Sequence, residues 1–161
     1  MKKRQNGLML ICAKTDEELS SLALSVFSSA LEPASSIVII SKQDRFTEQD
    51  LDEVKTKHGA CIYHFFLDSL DIKDSPRLVF EALRLSPRII YFDNFDFGPM
   101  IDSVVNVAES SHLIILGVTD DSPSNDIKEL GSKIRNRYCL DCTLKAVIAP
   151  SYKEDSQNHS V

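Results

Sequence analysis

Apolar residues along the chain come in short uninterrupted runs rather than in alternation with polar residues. Each run has the length of a β-strand, and most runs are rich in β-branched residues. Strands that are apolar on successive residues are typical of a parallel sheet with both faces covered. The runs comprise residues 7–13, 36–41, 60–67, 88–93, 112–118 and 143–149, the last of which also fits the end of a helix.

Between these runs, apolar residues recur at the spacing of a helix. The sequence Thr15-Asp-Glu-Glu18 is typical of a capping box, and apolar residues at helical spacing follow it as far as Leu31. A weaker helix starts at Thr47 and is ended by Gly59. Further helices are predicted to start at Ser75, Gly98 and Ser124.

The alternation of strands and helices predicts an α/β fold. We expect one domain over residues 5–150, with three layers and a mostly parallel sheet in the middle, followed by a polar tail over residues 151–161. In such sheets the functional side chains lie beyond the carboxyl ends of the strands. Those ends correspond to residues 13–16, 41–44, 93–96 and 119–121.

Composition excludes several classes of protein. The 161 residues include 18 basic and 24 acidic side chains, which gives a formal net charge of −6. A mildly acidic chain without a basic block is a poor match for a dedicated nucleic-acid-binding protein. Its apolar runs are too short to span a membrane or to form a secretory signal. We therefore expect a cytoplasmic protein that neither binds nucleic acid nor inserts directly into a membrane.

The spacing of the five glycines is informative. The closest two, Gly117 and Gly131, are 14 positions apart. Each common glycine-rich phosphate loop needs two or more glycines within about six residues. No such loop can be written for this sequence, and no cofactor is predicted.

The four cysteines give no signal for a metal or redox centre. Cys139 and Cys142 form a lone C-x-x-C pair after a helical run, whereas a structural zinc site needs four ligands. Because the chain carries no export signal, buried reduced thiols are predicted. No metal site is therefore predicted.

Short segments follow one another in a recognisable order. Residues 82–84 with 87–90 match a Leu-Arg-x-x-Pro-Asp element, and residues 110–115 match a Thr-Gly-His-Leu-Val-Leu box. The other segments are residues 7–11 with 20–22, 36–40 and 144–148. Together they resemble the RecA-like core of the type II/IV secretion ATPases, the family of twitching-motility and pilus-assembly proteins. The resemblance covers most of residues 5–150 and implies a bare, shortened core.

The resemblance also implies that the catalytic positions are replaced. The family's Walker A lysine aligns near Leu19, and its loop glycines align with Ala13, Asp16 and Glu18. The Walker B glutamate aligns with Asn94, an amide that cannot act as a base. Carboxylates at the start of a helix occupy the place where phosphate would lie. We therefore predict a degenerate pseudo-ATPase that is not an enzyme.

The predicted function is that of a non-hydrolysing structural or regulatory subunit of a pilus, type II/IV secretion or conjugation machine. The resemblance implies a partner at the cytoplasmic face of the inner membrane. That partner is a protein: a full-length secretion ATPase, an inner-membrane secretion component or another copy of this chain.

The predicted contact surface lies past the fourth apolar run. Phe95 and Phe97 are two aromatic residues in an acidic turn, and exposed aromatic residues are enriched at binding sites. The alternative is that both pack onto the following helix. The predicted surface comprises Asp93, Asn94, Phe95, Asp96, Phe97, His112, Thr119, Asp120 and Asp121.

Two other classes stay open. The first is a weak nucleotide-binding ATPase core in which Asp93 is a metal ligand. The second is a receiver-like signalling module, with Asp16 and Glu17 as its acidic pair and Asp93 at the strand end. For Asp93 itself, the alternative to a metal site is a solvated turn.

Overall fold

A computed structural model describes residues 6–66, 75–93, 101–108, 112–120, 128 and 144–149. The strands are β1 Gly7–Ala13, β2 Ser36–Ser41, β3 Cys61–Phe66, β4 Ile89–Asp93, β5 Leu113–Thr119 and β6 Leu144–Ile148. The helices are α1 Asp16–Ala30, α2 Glu48–His58, α3 Ser75–Leu83 and α4 Ile101–Ala108. The helix predicted to start at Ser124 lies outside the described residues.

The six strands form one parallel sheet in the order β3-β2-β4-β5-β1-β6. The predicted α/β fold with a parallel sheet is therefore confirmed, and the ambiguous run over residues 143–149 contains a strand. Since all strands are parallel, their carboxyl ends share one edge of the sheet and their amino ends share the other. These two edges are called the carboxyl edge and the amino edge below.

Apolar clusters cover both faces of the sheet, as the uninterrupted strands predict. On one face, α1 and α2 bury Phe27 and Val54 against the sheet. On the other face, α3 and α4 bury Val79 and Val105. Every residue of β4 is buried, and each fully buried Ile or Phe side chain stabilises the fold by about 1.5–3 kcal/mol.

Local capping fixes where α1 and α2 begin. The Thr15 hydroxyl accepts a hydrogen bond from the backbone N–H of Glu18 at 3.2 Å, as predicted. The Glu18 carboxylate accepts from the backbone N–H of Lys14, one residue before the helix cap. Thr47 and Asp50 form a complete capping box, and α2 ends at Gly59 with a φ of 61°.

The strand β3 differs from the central strands because it pairs with only one neighbour, β2, among the described strands. Tyr63 and Phe66 are 40% and 48% exposed. The thiol of Cys12 is buried and that of Cys61 is exposed, and both are free. The prediction of buried thiols is therefore wrong for Cys61, because β3 is the first strand in the sheet order and only β2 pairs with it among the described strands.

Candidate functional site

Five polar residues come together at the carboxyl edge, on the face that α1 and α2 cover. The central one is Arg45, which lies between β2 and α2 and whose side chain is only 14% exposed. Its guanidinium pairs with Asp16, the first residue of α1, and through Nε with Oδ2 of Asp93 at 2.9 Å. Tyr91 and Thr119 complete the group, which is called the carboxyl-edge cluster below.

The carboxylate of Asp93 is held inside this cluster rather than in water. Its side chain is 1% exposed, and its Oδ1 accepts a hydrogen bond from the Tyr91 hydroxyl at 2.9 Å. Burial raises the pKa of Asp93, while the hydrogen bond from Tyr91 and the charge of Arg45 oppose that rise. The interpretation of Asp93 as part of a solvated turn is therefore wrong, because its side chain is buried and paired with Arg45.

This environment bears on the other two roles considered for Asp93. A metal ligand or a phospho-acceptor needs a carboxylate oxygen that a ligand can reach, whereas both oxygens of Asp93 already have partners. Among the residues that the structure describes, no group of three His, Cys, Asp or Glu side chains is placed to hold a metal ion. The geometry favours a structural role for this carboxylate.

The Tyr91 hydroxyl reaches Asp93 because β5 has a glycine at the neighbouring position. Gly117 lies opposite Asp93 in the β4–β5 register. A Cβ atom built on Gly117 would be 2.5 Å from the Tyr91 hydroxyl oxygen and 2.9 Å from the ring. Gly117 thus makes room for the tyrosine ring. An isolated glycine inside a strand is a sequence signal for such a close approach.

Aromatic packing fixes the position of Tyr91. Its ring makes edge contacts with Phe27 at 5.3 Å and with Phe46 at 5.9 Å between ring centroids. Burial raises the pKa of Tyr91, and the charge of Asp93 raises it further, so the hydroxyl keeps its proton and donates. Since Phe46 follows Arg45 directly in the chain, the same packing holds the arginine loop against the sheet.

Asp16 links the start of α1 to the end of β5. Its Oδ1 accepts a hydrogen bond from the Thr119 hydroxyl at 2.8 Å, and the next backbone N–H, that of Asp120, donates to the carbonyl of Ala13. The hydrogen bond from Arg45, followed by the one from Thr119, lowers the pKa of Asp16. Burial lowers the pKa of Arg45, but the bond to Asp16 and the charge of Asp93 outweigh it and raise the pKa overall.

An open cavity of about 370 Å³ lies beside the cluster, over the first turns of α1. Its lining combines one cation, three carboxylates and two hydroxyls with a leucine. The lining residues are Asp16, Glu17, Ser20, Ser21, Leu24, Arg45 and Asp50. A phosphate group entering here would find Arg45 already paired with Asp16 and would meet the charge of Glu17.

A second polar pair lies next to the cluster on the same face. Ser41 Oγ and His64 Nε2 are 2.6 Å apart, and the His64 ring stacks on Phe66 with 4.1 Å between centroids. Ser41 lies opposite Asp93 in the β2–β4 register. Burial lowers the pKa of His64, and the charge of Asp44 opposes this effect.

The structure separates the residues of the predicted contact surface. Asp93, Thr119 and Asp120 lie together at the carboxyl edge. His112 precedes β5 and lies at the amino edge, where its Nδ1 bonds to the carbonyl of Pro87 at 2.6 Å. The length of β5 puts about 20 Å between the two ends of the strand. His112 therefore does not share a surface with the other three.

The remaining residues of that surface, Asn94, Phe95, Asp96, Phe97 and Asp121, lie outside the described residues. A protein contact through Phe95 or Phe97 stays a prediction.

The sequence analysis did not identify Arg45 and Tyr91 as members of the site. The available signals were a lone arginine between acidic strand ends and a tyrosine within an aliphatic strand.

No protein-family profile and no curated protein sequence matches the chain. Solved structures do match it in fold. The ATPase DotB of Legionella pneumophila aligns with a TM-score of 0.70 at 18% identity, over 91% of this chain and 41% of DotB. The pilus retraction motor PilT with bound ADP aligns with a TM-score of 0.66 at 16% identity, over 91% of this chain and 42% of PilT. DotB of Yersinia pseudotuberculosis aligns with a TM-score of 0.68 at 20% identity, over 89% of this chain and 38% of that protein.

These comparisons show that the chain has the RecA-like α/β fold of type II/IV secretion ATPases, and they confirm the resemblance at the level of the fold. The chain spans about two fifths of the length of those proteins. In the ranges that the structure describes, no helix has the length and apolar character needed to cross a membrane.

One prediction is contradicted by the comparisons. The sequence predicts that the chain is not an enzyme, yet solved structures that share its fold include those of an ATPase and of a motor with bound ADP. That expectation depended on missing Walker residues. A missing motif excludes one known form of phosphate loop, and it does not exclude activity.

Proposed function

We propose that the chain is a RecA-like subunit of a secretion or pilus-assembly machine, and that it acts there as a structural or regulatory component. The observation that carries this proposal is the fold, which the chain shares with DotB and PilT over 91% of its length. Fold similarity alone is compatible with other functions, so the carboxyl-edge cluster supplies the second line of support.

The cluster joins four separate parts of the chain through its own side chains. Arg45 connects the start of α1 with the end of β4, and the Thr119 hydroxyl connects Asp16 with β5. A buried carboxylate that has lost its cation is strongly destabilising. The start of α1, the segment that carries Arg45, and the ends of β4 and β5 are therefore held in one arrangement, and such a preorganised surface favours binding of a partner.

The outer rim of this edge is acidic. Among the residues that the structure describes just after β1, β2 and β5, exposed carboxylates outnumber exposed lysines. The carboxylates are Asp16, Glu17, Asp44 and Asp120, and the lysines are Lys14 and Lys42. Complementary charge favours a partner with a basic patch. We propose that this partner is a full-length secretion ATPase, an inner-membrane component of the machine or a second copy of the chain, at the cytoplasmic face of the inner membrane.

Affinity capture of the tagged protein from its native cells tests the proposal. We expect secretion or pilus components to be recovered with the parent protein and lost with Glu17→Lys, which reverses an exposed charge beside the cluster. Glu53→Lys makes the same change on an exposed position of α2 and should retain them. Recovery of no such component with the parent, at normal expression and folding, would contradict the proposal.

A second candidate function is nucleotide binding. The cavity beside the start of α1 favours it, because Arg45 and two serine hydroxyls line that cavity. Nucleotide would have to displace Asp16 from Arg45. Calorimetric titration with magnesium-ADP and magnesium-ATP tests this candidate. Saturable binding that is tighter in Asp16→Asn than in the parent would support it, and no saturable heat in either protein would dismiss it.

A further inference from the structure

The strand β3 turns one side of its backbone away from the rest of the sheet. The backbone N–H of Cys61 donates to the carbonyl of Ser35, so Cys61 directs its backbone groups toward β2. Successive residues of a strand in a parallel ladder direct these groups to alternate sides. The residues whose backbone groups face away from β2 are therefore Ile62, His64 and Phe66. Among the strands that the structure describes, only β2 pairs with β3, and none pairs with this outer side.

The outer side of β3 lacks the features that usually keep a strand edge from pairing. Natural sheets protect such edges with charged side chains, proline or a bulge. The strand Cys61–Phe66 contains no Lys, Arg, Asp, Glu or Pro, and its register with β2 runs without a shift. Two of its aromatic side chains, Tyr63 and Phe66, are exposed. The edge is therefore suited to pairing with a further strand.

The helix next to this edge carries its charges in two blocks. The helix α2 connects β2 to β3, packs against β3 and runs from the carboxyl edge to the amino edge of the sheet. All of its carboxylates precede all of its basic groups. The carboxylates are those of Glu48, Asp50, Asp52 and Glu53, and the basic groups are those of Lys55, Lys57 and His58. The helix is thus acidic at its start and basic at its end.

We propose that β3 pairs with β3 of a second copy of this chain, in antiparallel orientation about a two-fold axis perpendicular to the sheet. Such an axis brings the same surface of both copies together, so a strand without like charges is required. The same rotation places the acidic start of one α2 beside the basic end of the other, and these opposite charges attract. A second copy therefore fits both the uncharged strand and the charge order of the helix.

The outer backbone groups determine the register of this pairing. With His64 opposite His64 of the second copy, Ile62 lies opposite Phe66, and every outward-facing residue of β3 has a partner. Tyr63 then lies opposite Phe65 of the second copy, and aromatic pairs across strands stabilise a sheet. The contact uses the side of the sheet and not its carboxyl edge, so it goes beyond the proposed function and does not depend on it.

Sedimentation at increasing concentration, followed by amide hydrogen exchange in the intact chain, tests the proposal. We expect a monomer–dimer equilibrium. In the dimer the amide hydrogens of Ile62, His64 and Phe66 should exchange about tenfold or more slowly than in the monomer, whereas that of Tyr63, which faces β2, should change little. A monomer at all concentrations up to about 1 mM, or a dimer without this alternation, would overturn the proposal.

The charge order of α2 is tested by reversing one charge. Lys57→Glu makes the end of α2 less basic and should weaken association about threefold. Arg84→Glu makes the same change at an exposed position that follows α3, on the other face of the sheet, and should leave association unchanged. Equal weakening by both variants would overturn the antiparallel orientation that the proposal requires.

Two matched variants of exposed strand positions locate the contact. Tyr63→Lys adds a charge to the middle of β3 and should weaken association about tenfold or more, since each dimer contains the change twice. Val147→Lys adds the same charge to a 37% exposed position of β6, at the other end of the strand order, and should have no effect. Equal association of the parent and Tyr63→Lys, at the parent's melting temperature, would also overturn the proposal.

Discussion

The two edges of the sheet differ in how they treat their charged groups. At the carboxyl edge, Arg45 and Asp93 are paired with each other and covered by aromatic rings. At the amino edge, Arg88 and Glu32 line an open cavity. The difference shows that burial decides how the charged side chains act: at the carboxyl edge they are buried and hold separate parts of the chain together, whereas at the amino edge they line a cavity.

Removal of Arg45 should have the largest effect on the stability of the carboxyl edge. We expect Arg45→Met to lower the free energy of unfolding by about 3 kcal/mol or more, because Asp93 is left buried without a cation. Adding Asp93→Asn should restore part of the loss, since a neutral amide needs no counter-charge. Urea denaturation measures both values.

The control is Arg84→Met, which removes an exposed arginine and should change stability by less than about 0.5 kcal/mol. If Arg45→Met and Arg84→Met unfold at the same urea concentration, Arg45 does not hold the carboxyl edge.

Filling the space at Gly117 should have the next largest effect. Gly117→Ala places a Cβ atom against the Tyr91 ring and hydroxyl, and overpacking of this kind costs about 1–3 kcal/mol. Tyr91→Phe removes the nearest atom, so the double variant should lose less than the sum of the two single variants. A strictly additive double-mutant cycle would show that the two residues do not touch.

The pair of His64 and Ser41 makes stability depend on pH. Burial lowers the pKa of His64 below its usual 6.5, so the folded state favours the neutral ring. Its contribution to stability is fully present above pH 6.5 and is lost as the pH falls through the folded-state pKa. Thermal melts at pH 7.5 and 5.5 should therefore show a smaller decrease in His64→Gln than in the parent. An equal decrease in both proteins would mean that His64 titrates normally.

The weakest effect on stability is expected at Asp16. Its side chain is 54% exposed, and exposed ion pairs contribute about 0.2–1 kcal/mol. Asp16→Asn should therefore unfold close to the parent in urea, and Asp52→Asn, which removes another exposed carboxylate, should do the same. A loss as large as that of Arg45→Met would place Asp16, rather than Asp93, at the centre of the cluster.

Most of the fold follows from local sequence patterns. Each apolar run and each helix start depends on neighbouring residues, so the strands and the starts of α1 and α2 could be predicted. The strand at the chain's carboxyl-terminal side, β6, was ambiguous because its pattern also fits a helix end, and only its pairing with β1 decides.

The candidate site could be predicted only in part. The sequence places Asp16, Asp93 and Thr119 at strand ends, and in the structure they do meet there. Their partner Arg45 belongs to a different loop, and no local pattern shows which carboxylate an arginine will reach. The separation of His112 from Thr119 follows directly from their positions at opposite ends of one parallel strand.

Site-specific photo-crosslinking in native cells tests the central claim most directly. A crosslinking residue in place of Glu17 lies on the acidic rim of the carboxyl edge, and one in place of Glu53 lies on α2. We predict that position 17 captures a protein component of a secretion or pilus machine and that position 53 captures it far less. Capture of no such component from position 17, in a protein that folds and accumulates normally, would contradict the account.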